Sequence, residues 1–364
     1  MNEKVQACLM LSSYLETIGF RNGRWEFNYT INIKTLETYI NVWNILIHEY
    51  LVLGSNNINI STWSASDDTL LVMAISKAII NGGGRDNYIK YLIEYYGLLS
   101  DTKRISGINT LKSIRLLQQK KQIPIDSNMG GNGAAIRCAP IGLKWYNNIE
   151  KVIEESIISS QLTHNYFYGF LSGMVVALFT AYAIQSISPI EWCNKLIELY
   201  NKKIIHKYYP KEHDINDLDI FMNYWKKYNE VRVANIRHKN TLENCIYPTD
   251  RTKFLITFDP RYSENNKVWE NIAKSGLNCC IYALDCLFMS MQTPNSIKLD
   301  FDNIQYNWNS FVILVAIHPG DNDSTGCIGG AWYGALNGFK NIDISKMKEL
   351  EFYSELNDFS KQLL

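Results

Sequence analysis

From position 326 to position 338 every fourth residue is glycine: Gly326, Gly330, Gly334 and Gly338. In a helix that spacing lays a stripe of bare backbone along one face. Each helical glycine costs roughly 1 kcal/mol against alanine. A helix carrying so many is used where a second backbone must come close, so this segment is expected to be pressed into a core. Just before it stands His318-Pro319-Gly320-Asp321-Asn322-Asp323-Ser324-Thr325. Acidic and hydroxyl side chains are the ordinary capping set at a helix start, where the dipole favours negative charge. The run also resembles half of a calcium loop, but the later Gly and Glu of a full EF-hand are missing.

Helical spacing continues through the rest of the chain. Segments 6–18, 34–51, 86–96, 110–119, 134–145, 148–160, 167–187, 189–201, 216–230, 277–291 and 308–317 carry apolar residues at helical intervals. Ser66-Asp67-Asp68-Thr69 opens a further helix that closes at Gly82-Gly83-Gly84. Asn22-Gly23 predicts a turn, followed by a short extended piece to Phe27. Segments 56–63, 123–133 and 247–266 are expected to be loops, the last because of Pro248 and Pro260. Alternation of period two is almost absent, and no repeat or linker stands out. The expectation is an all-α protein, a single domain over residues 1–364.

Charge and cysteines exclude several classes. With 36 basic and 36 acidic side chains the formal net charge is zero, so no nucleic-acid partner is expected. The eight cysteines show no CxxC pair, which argues against zinc and for a reducing, cytoplasmic setting. Glu3 and Lys4 precede an apolar stretch broken by Ser12, Ser13 and Glu16, unlike a signal peptide. Segment 167–187 has no charge and is long enough to span a bilayer. Tyr168, Ser172, Thr180, Tyr182 and Gln185 interrupt it, however, so a buried central helix is expected and no membrane partner.

Five carboxylates stand out: Glu26, Asp67, Asp68, Asp321 and Asp323. Four begin helices, each beside a hydroxyl. If those two helices are neighbours, the four converge, and charges that close resist burial unless a divalent cation joins them. Oxygen ligands select Mg²⁺, Mn²⁺ or Ca²⁺ over zinc or copper, and two ions about 3.5–4 Å apart suit so many ligands. Separately, Gly130-Gly131-Asn132-Gly133 precedes an expected helix, a fit place for phosphate. It matches neither the P-loop nor the dinucleotide pattern, and an ordinary tight loop explains it equally well.

Asn22-Gly23-Arg24-Trp25-Glu26-Phe27, Ser66-Asp67-Asp68-Thr69, Gly131-Asn132-Gly133-Ala134-Ala135-Ile136-Arg137, Thr163-His164 and the 318–325 run occur in the order of the ADP-ribosylglycohydrolase family. The chain resembles that family, most of all its ADP-ribosylarginine hydrolases. The resemblance implies one orthogonal helical bundle and two magnesium ions. It makes Ser66, Asp67 and Asp68 one half of the metal site and Asp321, Asp323 and Ser324 the other. Asp67, Asp68 and Glu26 become the catalytic carboxylates, with Asp67 favoured as general base. Ser127, Gly130, Gly131, Asn132 and Gly133 would cradle a diphosphate, His164 would face the ligand, and Ser275 and Gly276 would close over the ribose.

The implied reaction is hydrolysis of the N-glycosidic bond between ADP-ribose and arginine on mono-ADP-ribosylated proteins, by a monomer. Cleavage of serine-linked or polymeric ADP-ribose, or binding of ADP-ribose without catalysis, are the alternatives. The chain departs from the family in three places. Leu15-Glu16-Thr17-Ile18-Gly19 stands for Gly-Asp-Ala-x-Gly, Leu277 and Asn278 replace a His and an Asp, and Asn322 replaces Ser or Thr.

Overall fold

In chain order the helices are α1 (Asn2–Phe20), α2 (Leu36–Val52), α3 (Asp67–Ile80), α4 (Gly84–Glu94), α5 (Tyr96–Leu99), α6 (Ile108–Gln118), α7 (Ala139–Lys144), α8 (Ile149–Gln161), α9 (Phe167–Ile184), α10 (Trp192–Asn201), α11 (Ile204–Tyr208), α12 (Ile215–Tyr228), α13 (Ala234–Lys239), α14 (Pro248–Ile256), α15 (Gly276–Met289), α16 (Trp308–Ala316), α17 (Asn322–Asn337) and α18 (Tyr353–Gln362). The computed structural model describes residues 1–27, 31–239, 248–262, 269–292 and 304–363. Among them the only strands are the antiparallel pair Met291–Gln292 and Gln305–Tyr306. The fold is all-α.

The glycine stripe does what its spacing implies. A Cβ on Gly326 would stand 2.6 Å from the Leu15 carbonyl oxygen, and Cβ atoms on Gly330 and Gly334 would strike the carbonyls of Leu11 and Ala7. Residue numbers rise on α17 as they fall on α1, so the two helices run antiparallel. Ser12 Oγ donates to the Cys327 carbonyl (2.9 Å) in the same seam. At the far end Gly19 meets Asn322 and Asp323, where a Cβ would lie 2.7 Å from backbone. The start of α17 is therefore clamped to the end of α1. Gly338 falls outside the helix, at φ 64°, and terminates it. A Gly330→Ala protein should lose about 1–3 kcal/mol in chemical denaturation, because the added methyl must push two backbones apart.

Helix α9 runs through the core, and 94% of its length is buried, so its apolar character is used within the fold. Phe179 on α9 packs against Trp192, Trp225 and Trp332, with ring centroids 5.3–5.5 Å away.

The structure differs from the sequence expectations in several segments. Helix α14 occupies much of a stretch read as loop, because Pro248 sits at its first position, where a proline needs no N–H donor. Residues 247 and 263–266 of that stretch lie outside the described residues. Residues 134–145 form turns and only the short α7. Asn22-Gly23 lies in a 3₁₀ turn, Arg21–Gly23, and residues 24–27 after it form turns and bends instead of an extended piece. The short α11, α13 and α18 lacked a recognisable signal.

Candidate active site

Helix α1 joins the two acidic helix starts. Its Glu16 is fully buried, and the carboxylate accepts the Ser66 backbone N–H and, at 3.1 Å each, the hydroxyls of Thr69 and Thr17. Thr69 also donates to Ser13 Oγ (3.0 Å). The end of α1 thus holds the start of α3 through Glu16 and the start of α17 through Gly19. The negative end of one helix dipole faces the positive ends of two others. Arg104 adds a second hold: it donates to the Ala65 carbonyl (2.6 Å) and pairs with Glu351, which accepts the Ala65 N–H (3.0 Å).

The two starts touch directly. Ser324 Oγ donates to Asp68 Oδ2 at 2.8 Å, between residues 256 apart in the chain. Phe27 N–H donates to the Gly320 carbonyl (3.1 Å) and Asp321 N–H to the Ile272 carbonyl (3.0 Å), which brings Glu26 beside the 321–323 turn. Carboxylate oxygens of Glu26, Asp321 and Asp323 lie within 4.8 Å of one another. They open on a cleft of about 480 Å³ that Asp67, Asp68 and Ser324 also line. All five carboxylates of the sequence reading therefore share one cleft.

Burial and crowding disturb these acids. Burial, then the charges of Asp321 and Asp67, drives Glu26 well above the ordinary carboxylate range. Burial, with Glu26 and Asp68 next, does the same to Asp323. Asp67 is pushed up to about 7 by burial, although Gly107 N–H donates to its Oδ2 (3.2 Å) and opposes the rise. Among the described residues, buried Glu26 Oε2 has no hydrogen-bond partner. An orphaned carboxylate oxygen among buried, mutually repelling acids is the environment a divalent cation relieves. The donors are all oxygens, so the residues fit a hard cation such as Mg²⁺.

One wall of the cleft is the glycine turn. Gly131 and Ser275 form an isolated antiparallel bridge, Gly276 N–H donates to the Gly130 carbonyl (3.0 Å), and Asn132 Nδ2 donates to the Ala273 carbonyl (3.0 Å). Buried Arg137 closes the turn from behind, donating to the Gly133 carbonyl (2.8 Å), Thr163 Oγ1 (2.7 Å) and the Ser159 carbonyl (2.7 Å). His164 lines the cleft beneath the turn. A Cβ on Gly133 would stand 2.8 Å from its Cε1, so only glycine allows that approach. Burial, with Arg137 next, pushes His164 down to about 3, which keeps the ring neutral.

The remaining expected site residues are not among those that line the cleft. Ser66 is fully buried under the cleft and caps α3, accepting Asp68 N–H (3.2 Å). Ser127 is exposed and does not line the cleft. Gly130, Ser275 and Gly276 shape the wall from behind, and Ser275 caps α15 through Asn278 N–H (3.2 Å). The departure at Asn278 is structural: its side chain accepts Ala273 N–H (2.8 Å) and donates to the Leu255 carbonyl (2.9 Å). Sequence reasoning noticed Glu16 only as a departure, and missed Lys274 and the 105–110 segment, which also line or support the cleft. Lys274 adjoins a motif already singled out, and Ser106-Gly107 precedes a helix, so both carried a weak signal.

The fold thus brings two acidic helix starts together in one cleft beside a glycine turn. Residues 3–364 match the ADP-ribosylglycohydrolase model, and the chain belongs to that family. It is 29% identical, over 99% of its length and 93% of the relative's, to "ADP-ribosylhydrolase ARH1" of Dictyostelium discoideum. It is 28% identical to "Putative ADP-ribosyl glycohydrolase L444" of Acanthamoeba polyphaga mimivirus, over 96% of the chain and 67% of the relative. A solved "ADP-ribosylglycohydrolase-related protein complex" shares the fold, with TM-score 0.57 and 13% identity, covering 99% of this chain and 98% of that one.

Proposed function

We propose that the protein hydrolyses the N-glycosidic bond between ADP-ribose and arginine on mono-ADP-ribosylated proteins, and that it uses magnesium. The observation that carries this is the Ser324–Asp68 contact, 2.8 Å across the joined starts of α3 and α17, in a chain of this family. Asp67, Asp68, Asp321, Asp323 and Ser324 are the ligand set, two ions being the number their count suits, with Ser66 as their support. Bound magnesium would supply the positive charge that orients the ribose hydroxyls and acidifies a water.

The chain's own groups do the rest. Asp67, half-buried in the cleft lining, takes the proton of the water that attacks C1 of the distal ribose. The C1–N bond breaks, its electron pair passes to the guanidine nitrogen, and a proton returns to that nitrogen so that arginine leaves as guanidinium. Glu26, on the same floor, faces the positive charge that builds on the ribose as the bond lengthens.

The test is release of ADP-ribose from an arginine-linked peptide, run beside serine-linked and polymeric substrates. The arginine-linked peptide should be cleaved, EDTA should abolish cleavage, and added Mg²⁺ should restore it. Cleavage of only the serine-linked or polymeric substrate would replace the arginine reading, and no release from any would remove the enzymatic one.

A further inference from the structure

The cleft floor is acidic, yet ADP-ribose carries two negative phosphates. Among the described residues that line the cleft, Lys274 is the one cationic side chain, since His164 stays neutral. Its place is well held. Ala273 on one side accepts from Asn132, and Ser275 on the other bridges Gly131, so Lys274 stands on the same wall as the glycine turn. Its Nζ lies 4.8 Å from the centre of the Phe27 ring, a cation–π contact at the mouth of the cleft. Its charge opposes the burial-driven rise of Asp321 and Glu26 on the floor, and the side chain is exposed. Ser127, which the resemblance assigned to the diphosphate, lies outside the cleft lining.

We propose that Lys274 Nζ binds the diphosphate of ADP-ribose, held between the Phe27 ring and the Gly131–Gly133 turn, in a cleft whose carboxylates are committed to metal, and so favours phosphorylated ligands. This rests on the function proposed above. A lysine is suited to the task as a compact point charge that can swing to either phosphate. The turn offers backbone beside it, and the aromatic ring limits the side chain's freedom before the ligand arrives.

Calorimetric titration with ADP-ribose in the presence of Mg²⁺ tests it, on the wild type, Lys274→Ala and Lys274→Arg. Loss of one charge-assisted contact should weaken ADP-ribose binding about 10- to 100-fold in Lys274→Ala, and Lys274→Arg should recover most of it. The loss should appear in KM more than in kcat, and the salt dependence of KM should flatten. Adenosine, which lacks the diphosphate, should bind wild type and Lys274→Ala alike. Equal ADP-ribose affinity in wild type and Lys274→Ala overturns the assignment while leaving the proposed function standing. A wild type that binds no ADP-ribose overturns both. Because Lys274 is exposed, an unchanged melting temperature is expected to separate either result from misfolding.

Discussion

Asp323→Asn should cut turnover at least about a hundredfold while the protein still folds. Asn keeps the size of the side chain and most of its hydrogen bonding, including an acceptor for the Ser324 N–H, now 2.8 Å from Asp323 Oδ1. What it removes is a charge. That charge stands within reach of Glu26 and Asp321, and without a cation the three repel one another. Removing one should therefore leave stability in EDTA unchanged or higher, while affinity for Mg²⁺ falls. The measurement is steady-state release of ADP-ribose at saturating Mg²⁺, alongside thermal melts with and without metal. Full activity in Asp323→Asn would take this residue out of the site.

The second large effect lies outside the cleft lining. Asp285 on α15 is fully buried, with Arg232 Nε 2.6 Å from Oδ1 and Arg251 Nε 2.6 Å from Oδ2. Tyr228 donates to the same carboxylate at 3.1 Å. Asp285→Ala leaves two buried guanidiniums without their counter-charge and should cost about 3–5 kcal/mol in urea unfolding at pH 7. The pH dependence has a definite sign. Burial alone would raise Asp285, but the two guanidiniums outweigh it and hold the group below its ordinary 3.8. Its stabilisation is present in full above that value and is lost as pH falls through the lower folded value. The gap between wild type and variant should therefore be constant from pH 5 upward and shrink below about pH 4. A gap that widened on acidification would refute the triad.

These two residues mark what was legible in the sequence. Asp323 and its partners could be found because capping acids and hydroxyls cluster within a few residues, and the glycine period beside them demanded a tight helix pair. The identity of that partner helix was not legible. It follows from Ala7, Leu11, Leu15 and Gly19, whose spacing matches the stripe but which look like an ordinary apolar face. Asp285 was hidden for a similar reason. It lies in a strongly apolar run, and its partners come from 53 and 34 residues away, one of them on α14, where Pro248 had suggested a loop. Glu16 was visible only as a mismatch, because its role depends on α3 docking against α1. Local chemistry announced itself, and contacts between distant segments did not.

The central claim is that the ends of α1, α3 and α17 meet to hold hard cations over the bond that is cut. Anomalous diffraction from crystals grown with Mn²⁺ in place of Mg²⁺ tests it most directly. Anomalous peaks are expected inside the cleft, bounded by Asp67 and Asp68 on one side and Asp321, Asp323 and Ser324 on the other, and lost in Asp323→Asn. Saturating Mn²⁺ that leaves the cleft without a peak, or that settles only at surface carboxylates, would contradict it.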